Sequence, residues 1–384
     1  MTPAARHQAA IEILDRILAD IPPEQALTNW ARKARFAGSG DRAAIRDLVF
    51  DVLRRKRSCA HLGGSMTGRG LILGLIRAQD RDPAQLFTGA TYAPAALSAA
   101  EANHSAQPMT DAVALDCPDW LWAEFHDSLG PECRLVLEAL RHRAPVFLRV
   151  NLARADRASV IARLAATGIG AKSHPLAPSA IEVIDNPRAL SRSDVFREGL
   201  VELQDAASQA IIFDLPPVAG QTVLDFCAGG GGKSLALAAL GAHVTAYDAN
   251  AVRLRDLPAR AERAQAQIAV TPTPEGQFDI VLTDVPCSGS GSWRRAPAGK
   301  WSLTPQRLTE LTNMQAEILE KAARHVKPGG WLAYVTCSLL RRENGAQVNR
   351  FLMENSAFTA VVARQLTPLD GGDGFYVATL ARNA

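Results

Sequence analysis

Two cysteines follow apolar segments that are typical of buried strands. Cys287 lies in TDVPCSGSG, residues 283–291, directly after the apolar run FDIVL, and Cys337 lies fifty positions later in WLAYVTCSL. A cysteine thiolate is both a nucleophile and a metal ligand. The chain has no CxxC pair and no cluster of histidines, so we expect neither a metal site nor a disulfide framework. The two cysteines are therefore candidate free thiols.

A glycine-rich turn follows another apolar segment. The stretch QTVLDFCAGGGGKSLALAALGAHVTAYDA, residues 221–249, predicts a strand, a turn, a helix and a second strand, which is the βαβ unit of a doubly wound sheet. Glycine lets the backbone approach a ligand closely, and the N-terminus of the next helix favours an anionic group. Asp248 follows Asp225 by 23 residues, near the offset at which such folds place an acid on a ribose hydroxyl. We expect a nucleotide-like ligand here.

The carboxyl ends of the predicted strands define a common rim. Ligands of open α/β sheets bind outside these ends, so Asp284, Cys287 and Cys337 should face one crevice together with the glycine-rich turn. A single cysteine at a strand end is usually a small core residue. Two cysteines in polar turns at one rim indicate a catalytic site instead.

The composition limits the class of protein. The chain has 384 residues, of which 47% are hydrophobic and 21% charged, as expected of a globular protein with two or three domains. No apolar run approaches the eighteen or so residues of a membrane span, and acids interrupt the apolar N-terminal segment. We therefore predict a cytoplasmic protein. The net charge of +3 permits a polyanionic partner without requiring one.

The pattern of apolar residues predicts three domains. Residues 1–130 have helical spacing, residues 131–215 alternate between helix and short strands, and residues 216–384 hold the doubly wound sheet. The predicted fold class is α/β, with a mostly parallel, Rossmann-like sheet preceded by a small α/β module and an all-α bundle. The first 65 residues carry eleven Lys or Arg against seven Asp or Glu, and RRKR occupies 54–57. This run is either a solvated helix end or a phosphate contact.

The motifs resemble the RsmB/NOP/Sun family of S-adenosylmethionine-dependent RNA cytosine-C5 methyltransferases. The resemblance is carried by DFCAGGGGK, DVPCSGSG, KPGGWLAYVTCS, EN at 343–344, DGFYVA, FLRVN at 147–151 and QDAASQ at 204–209. The N-terminal bundle looks like the NusB-like RNA-binding domain of the bacterial ribosomal-RNA members. The resemblance implies a class I methyltransferase fold and methylation of carbon 5 of a cytosine in RNA, above all ribosomal RNA.

The resemblance also implies roles for three rim residues. Cys337 would add to carbon 6 of the cytosine, Cys287 would assist product release, and Asp284 would hydrogen-bond the base edge. Addition of a thiolate makes the ring an enamine, whose carbon 5 can attack the sulfonium methyl of the cofactor. The base must leave its stack to be reached, so the expected substrate is single-stranded or looped RNA. The DNA enzymes attack with the cysteine after a proline, so PCS alone would indicate Cys287.

For the cofactor, the resemblance implies contacts from ten residues: Cys227, Ala228, Gly229, Gly230, Gly231, Gly232, Lys233, Asp248, Arg253 and Asp284. The family has Ala-Pro where this chain has Gly229 and Gly230. It also has an acid after the third strand, whereas none occurs here before Glu275, so the adenine contact is unassigned. Lys233 either orients a bound molecule or lies exposed at a helix start.

For RNA, seven residues are predicted contacts: Arg54, Arg55, Lys56, Arg57, Arg294, Arg295 and Lys300. Trp293 and Trp301 are candidate stacking partners, Gln315 is expected to face solvent, and Cys59, Cys117 and Cys133 are expected to be buried without a catalytic role. Two alternatives stay open. A transfer-RNA methyltransferase would share every catalytic residue, and a ribosomal-RNA-binding protein could have lost its cofactor.

Overall fold

The computed structural model describes residues 1–384, which form two compact units. The helical unit comprises Met1–His126, Pro131–Arg143 and Trp293–Ser302. The α/β unit comprises Asp127–Gly130, Ala144–Ser292 and Leu303–Ala384. None of the helices combines the length and the apolar character that a membrane span requires.

Seventeen α-helices occur along the chain: α1 (Pro3–Leu18), α2 (Pro23–Lys33), α3 (Ser39–Arg54), α4 (Lys56–Gly63), α5 (Gly68–Arg77), α6 (Ala99–Ala102), α7 (Asp111–Ala114), α8 (Asp119–Leu129), α9 (Cys133–Leu140), α10 (Arg157–Ala166), α11 (Asp194–Arg197), α12 (Ala206–Phe213), α13 (Gly232–Ala239), α14 (Leu257–Ala264), α15 (Ala298–Ser302), α16 (Pro305–Ala323) and α17 (Gly345–Glu354). Seven 3₁₀ turns also occur: Pro83–Gln85, Gly130–Glu132, Pro187–Arg192, Ala251–Leu254, Ser290–Ser292, Arg341–Glu343 and Pro368–Asp370.

Eleven strands form two sheets: β1 (Val146–Val150), β2 (Ala171–Ser173), β3 (Ala180–Val183), β4 (Val201–Leu203), β5 (Thr222–Asp225), β6 (His243–Ala246), β7 (Ile268–Val270), β8 (Phe278–Asp284), β9 (Val326–Thr336), β10 (Phe358–Leu366) and β11 (Phe375–Arg382). The smaller sheet is antiparallel with the order β2-β3-β1-β4. The larger sheet has seven strands in the order β10-β11-β9-β8-β5-β6-β7.

The helical unit is built around a core between α1, α3 and α5. Ile13, Ile45 and Leu71 are fully buried there, because each lies on the apolar face of its amphipathic helix. Helices α4 and α5 approach so closely that a Cβ on Gly74 would lie 1.8 Å from the carbonyl oxygen of Cys59. Cys59, Cys117 and Cys133 are buried in this unit, as predicted.

The seven-stranded sheet positions the candidate site. Strand β5 lies between β6 and β8, β8 pairs in parallel with β9, and β11 is antiparallel to β9. Successive side chains of β5 enter different cores, since Val223 packs on one face and Leu224 on the other. Burial on both faces explains the continuous apolar runs in the sequence. The mostly parallel Rossmann-like sheet confirms the predicted fold class.

The small sheet supports the glycine-rich turn of the same unit. Arg149 of β1 is buried and donates hydrogen bonds to Gln204 Oε1, at 2.5 Å, and to the carbonyl oxygen of Gly232. Asn151 donates through Nδ2 to the carbonyl oxygen of Ala264, at 2.9 Å. The FLRVN and QDAASQ motifs therefore act as braces between the two sheets.

The compact units divide the chain differently from the predicted segments. The sequence pattern places helix α9 in the small α/β module, but in the structure it belongs to the helical unit. The reason is that α9 buries one apolar face, which includes Val136 and Leu140. Residues 293–302 belong to the helical unit as well, where Trp293 packs edge-on against Phe125 at 5.9 Å between ring centroids. The three-domain division stays a prediction.

A Gly291→Ala substitution tests how the loop after β8 is held. Gly291 donates to the carbonyl oxygen of Cys337 and accepts from the amide of Gly374, and an added Cβ would lie 2.1 Å from the Gly374 carbonyl oxygen. We expect a loss of about 1–3 kcal/mol in the free energy of unfolding, as for other overpacked sites, measured by urea denaturation. Gly40→Ala is the control, since its Cβ meets nothing within 4 Å; equal stability of the two variants would contradict the prediction.

Candidate active site

Two thiols meet at the carboxyl ends of β8 and β9. The Sγ atoms of Cys287 and Cys337 lie 3.4 Å apart, and both cysteines are free and half-buried. The strands are parallel neighbours, so their ends necessarily reach the same rim. The structure thus brings together the two cysteines that the sequence analysis placed in one crevice.

Cys287 stays protonated at neutral pH. Its hydrogen bond with Cys337 and its burial raise the pKa of the Cys287 thiol well above the ordinary value, and the charge of Glu343 acts in the same direction. A thiol in this state is a poor nucleophile but can hold or donate a proton.

A buried carboxylate links the two cysteine loops. Glu343 is 0% exposed, and its carboxylate accepts hydrogen bonds from the backbone and hydroxyl of Ser288, at 2.8 and 2.5 Å. It also accepts from Ser338 Oγ, at 2.5 Å, and from Gln315 Nε2, at 3.0 Å. Ser288 follows Cys287 and Ser338 follows Cys337, so one carboxylate fixes both loops.

Gln315 was expected to face solvent, and this prediction is wrong. Its side chain is fully buried and donates to the carbonyl oxygen of Pro286, at 2.9 Å, as well as to Glu343. No role was predicted for Gln315, because the sequence of an amphipathic helix does not show whether a glutamine faces solvent or the protein interior. Glu343 could have been found from the EN motif, which is part of the family resemblance.

The neighbouring Asn344 holds the turn after Cys337. It accepts from Thr336 Oγ1, at 2.5 Å, and donates to the carbonyl oxygen of Ser338, at 2.9 Å. The Ser290 hydroxyl accepts from the backbone amide of Leu339, at 2.9 Å. The Asn344 and Ser290 side chains thus hold the turn after Cys337 in place, which preorganises this side of the site.

Lys233 lies at the rim rather than in solvent. Its Nζ atom is 2.5 Å from Asp284 Oδ2, its side chain is buried, and it stands 5.2 Å from the centroid of the Phe375 ring. The ion pair sets the orientation of the Asp284 carboxylate at the end of β8. Lys233 is therefore not an exposed residue at a helix start, and its role in orienting a bound molecule stays a prediction.

The glycine-rich turn wraps around the Asp248 carboxylate. The amide of Gly229 donates to Asp248 Oδ2 at 2.9 Å, and Arg253 forms an ion pair with the same oxygen at 3.0 Å. Gly229 and Gly231 have φ values of +51° and +77°, a region that glycine adopts without strain. Gly229, which replaces the family's alanine, therefore has a conformation in which alanine would be strained.

Asp225 places a second buried carboxylate beside the turn. Ser234 Oγ donates to its Oδ2 at 2.6 Å, whereas Oδ1 is buried and has no hydrogen-bond partner. Burial raises the pKa of this carboxyl to about 6. Asp248 lies just beyond the adjacent strand β6, and its carboxylate is an acceptor that fits hydroxyl groups of a cofactor. The remaining predicted cofactor residues lie in the same turn: Cys227, Ala228, Gly230 and Gly232.

Three predicted RNA contacts are wrong. Arg54, Arg294 and Lys300 are buried inside the helical unit. Arg54 Nε donates to the carbonyl oxygen of Arg294 at 2.7 Å, and Lys300 Nζ donates to the carbonyl oxygen of Arg54 at 3.2 Å. Burial lowers the pKa of Lys300 to about 8. These charged groups serve the packing of residues 293–302 and are not available to a phosphate.

The other members of the predicted RNA set differ in exposure. Arg57 forms an ion pair with Asp119 at 2.8 Å, and Lys56 lies over the Trp301 ring at 5.6 Å from its centroid. Trp301 itself donates to the carbonyl oxygen of Leu53 at 2.7 Å. Trp293 is buried, so its predicted stacking on RNA is wrong as well. Four of the RNA contacts stay predictions: Arg55, Lys56, Arg57 and Arg295.

Comparison with known proteins gives two matched segments. Residues 212–381 match the family described as 16S rRNA methyltransferase RsmB/F, and residues 117–190 match the ferredoxin-like domain described as Methyltr_RsmF/B-like. Ribosomal RNA small subunit methyltransferase B of Pectobacterium carotovorum subsp. carotovorum (strain PC1) is 33% identical over 334 residues. The alignment covers 82% of this chain and 73% of that protein.

Two solved structures share the fold. The crystal structure of PH0851 matches with a TM-score of 0.76 at 22% identity and covers 99% of both chains. A methyltransferase homolog protein from Pyrococcus horikoshii matches with a TM-score of 0.63 at 24% identity, over 71% of this chain and 97% of that one. At these identities the likeness concerns the fold alone.

An Asp225→Asn variant should have a weaker pH dependence of stability. Because the folded pKa of about 6 exceeds the unfolded value near 3.9, the folded state retains the proton longer, and stability falls as pH rises between about 4 and 6. The asparagine cannot ionise but still accepts from Ser234. In the unaltered protein, the free energy of unfolding should fall by about 3 kcal/mol across this pH range. The variant should lack this decrease, and urea unfolding at several pH values measures both proteins. Asp256→Asn, an exposed acid, is the control, and an identical slope in the Asp225 variant would refute the prediction.

A Glu343→Gln variant should misplace the cysteine loops and lower the pKa of Cys287, because it removes a charge that raises this pKa. We expect iodoacetamide to modify Cys287 at lower pH than in the unaltered protein, as measured by peptide mass spectrometry. Methyl transfer should fall by roughly 10- to 100-fold, since displacements of about 1 Å can have effects of this size. Glu354→Gln, at an exposed site, controls for charge. An unchanged alkylation profile would argue against the positioning role.

Proposed function

The chain belongs to the RsmB/NOP/Sun family of methyltransferases, and we propose that it methylates carbon 5 of a cytosine in RNA through a covalent Cys337 adduct. The observation that carries this proposal is the 3.4 Å approach of Cys287 Sγ and Cys337 Sγ. Carbon 5 of cytosine is a weak nucleophile. A thiolate that adds to carbon 6 activates it, and a second proton-handling group beside the first sulfur is suited to the release step.

The family resemblance supports the division of roles between the thiols. The Cys287 sulfur lies 3.4 Å from that of Cys337, so it is within reach of the adduct and would assist its release. Cys337 then acts as the nucleophile: its sulfur forms a bond to carbon 6, and the electron pair of the ring double bond makes carbon 5 nucleophilic. After methylation, the carbon-5 proton would pass to a basic group or to water, and the electron pair that it leaves would expel the Cys337 thiolate and restore the ring double bond.

Asp284 is suited to hold the edge of the flipped base. Its Oδ2 atom is fixed by Lys233, and its half-buried position at the end of β8 leaves it at the rim that carries both thiols. A carboxylate held this way can accept from the exocyclic amine or share a proton with ring nitrogen 3. Either interaction stabilises charge that develops on the ring during the addition.

The residues of the glycine-rich turn would hold S-adenosylmethionine, the cofactor of the family. Asp248 is suited to the ribose hydroxyls, while Gly229 to Gly232 leave room for close approach of the backbone. When bound, the cofactor would supply the methyl group from an electrophilic sulfonium. The chain's own contribution is to fix the Asp248 carboxylate beside the turn and to keep other side chains out of it.

Small-subunit ribosomal RNA is the proposed substrate class. The Pectobacterium relative and the matched family model are both named for methylation of this RNA. The base must be flipped or unpaired to reach a sulfur at a strand end. A single-stranded or looped segment therefore fits the site better than a helical one.

Cysteine substitutions test the reaction. With S-adenosylmethionine and in-vitro-transcribed small-subunit ribosomal RNA, a Cys287→Ala variant should accumulate a protein–RNA adduct that survives denaturing electrophoresis, because the adduct forms but is released slowly. Cys337→Ala should form none and should lose methyl transfer by at least about 1000-fold, which corresponds to roughly 4 kcal/mol in the barrier. Bisulfite sequencing of the RNA identifies the methylated cytosine.

The control for this experiment is Cys133→Ala, which removes a buried thiol of the helical unit. It should methylate RNA at the rate of the unaltered protein and form no lasting adduct. Adduct accumulation in Cys337→Ala but not in Cys287→Ala would reverse the two roles. Full activity without either thiol would exclude the covalent reaction.

A further inference from the structure

An exposed aromatic and basic surface lies on the helical unit, among residues that the sequence analysis did not single out. Phe36 and Tyr92 are 77% and 80% exposed and line one groove of about 860 Å³. The rest of the groove comes from Met1, Thr2, α1, Trp30, Thr91 and Ala93. Arg32, Lys33 and Arg35 do not line the groove, but they directly precede Phe36 in the chain. We call Arg32, Lys33, Arg35, Phe36 and Tyr92 the aromatic–basic surface.

The three cations of this surface have no acidic partner. Arg32 and Lys33 lie in the last turn of α2, Arg35 follows it, and all three are exposed. None forms an ion pair, whereas Arg46 is paired with Glu24 and Arg6 with Asp41. A cluster of unpaired cations attracts a polyanion.

The aromatic residues are held in unusual positions. Tyr92 has φ of +66°, a left-handed conformation that is a strained outlier for a bulky residue. Strain of this kind persists only where the surrounding structure imposes it, and it accumulates at ligand-binding sites. Phe36 exposes its ring although it follows a helix whose Trp30 is buried. Both rings are thus presented to solvent rather than packed.

We infer that this surface binds a single-stranded segment of the RNA substrate, with bases stacked on Phe36 and Tyr92 and phosphates contacted by Arg32, Lys33 and Arg35. Aromatic rings interleaved with cations are the pattern that single-stranded nucleic acid recognises, since every base offers a face for stacking. A protein partner is less favoured, because only one acidic residue, Glu12, lines the groove, and the flanking cations would stay unpaired against an apolar helix. The inference rests on the proposed function, which makes RNA the substrate.

Two sets of variants separate the contributions. The triple variant Arg32→Gln, Lys33→Gln, Arg35→Gln should lower the salt dependence of binding: the slope of log K against log salt should decrease in magnitude by about 2, at about 0.7 per phosphate of a single strand. The pair Phe36→Ala, Tyr92→Asn should weaken binding by about 30-fold or more at constant salt, from the loss of two stacked bases. The probe is a fluorescein-labelled 20-nucleotide polyuridine, titrated by fluorescence anisotropy.

Tyr92→Asn alone distinguishes binding from folding. Asparagine tolerates the left-handed conformation better than tyrosine does, so this variant should unfold at the same or a higher temperature and still bind the probe more weakly. A purely structural role for Tyr92 would instead leave the affinity unchanged. An RNA duplex of equal length should be bound more weakly than polyuridine, because its bases are already stacked.

The control variant is Arg192→Gln, Arg255→Gln, Arg324→Gln, which removes three exposed cations of the α/β unit. An equal decrease in salt slope in this control variant would overturn the inference. Unchanged affinity in both the cation triple variant and the Phe36/Tyr92 pair would also overturn it and leave the groove as a surface for a protein. Ultraviolet cross-linking should place polyuridine on peptides that contain Phe36 or Tyr92. Failure of methyl transfer by the unaltered protein on ribosomal RNA would refute the proposed function separately, since the binding measurements involve no methylation.

Discussion

The Glu343 carboxylate joins the two loops that carry Cys287 and Cys337, on which the proposed chemistry depends. It receives hydrogen bonds from Ser288, Ser338 and Gln315 while fully withdrawn from water. Hydrogen bonds to a charged group stabilise by about 1.5–3 kcal/mol each, and an unpaired buried charge is far less favourable. The loops and the carboxylate therefore fix one another. The same charge also helps to keep the neighbouring thiol of Cys287 protonated.

The cofactor side of the site depends on a second set of polar contacts. Arg149, on β1, donates a hydrogen bond to the backbone of the glycine-rich turn. Asn151, just after β1, donates to the backbone of α14. Arg260 of α14 also bonds to Gly230 and pairs with Glu202. Glycine makes the turn permissive, so external braces must supply its order. The small sheet thereby contributes to the site without providing a reacting group.

The sequence identified the elements and motifs of the α/β unit well. The mostly parallel sheet follows from the βαβ pattern, and the rim positions of Asp284, Cys287 and Cys337 follow from the rule that ligands bind at the carboxyl ends of parallel strands. The sequence was less informative about charged residues. Arg54 and Lys300 are of residue types that commonly contact RNA, but here they donate hydrogen bonds to backbone carbonyl oxygens. Long cationic side chains can donate to backbone acceptors as readily as to phosphates.

The amino-acid sequence by itself determined the sheet, the glycine-rich turn, the two free thiols at the rim and the family, since each depends on local pattern and spacing. Only the tertiary structure decided which polar side chains are buried and what they bond. Gln315, Glu343 and Lys233 are distant in sequence, and their burial depends on which helix face meets which strand end. The exposure of Phe36 and Tyr92 was equally invisible, because solvent access is a property of the packed chain and not of any single segment.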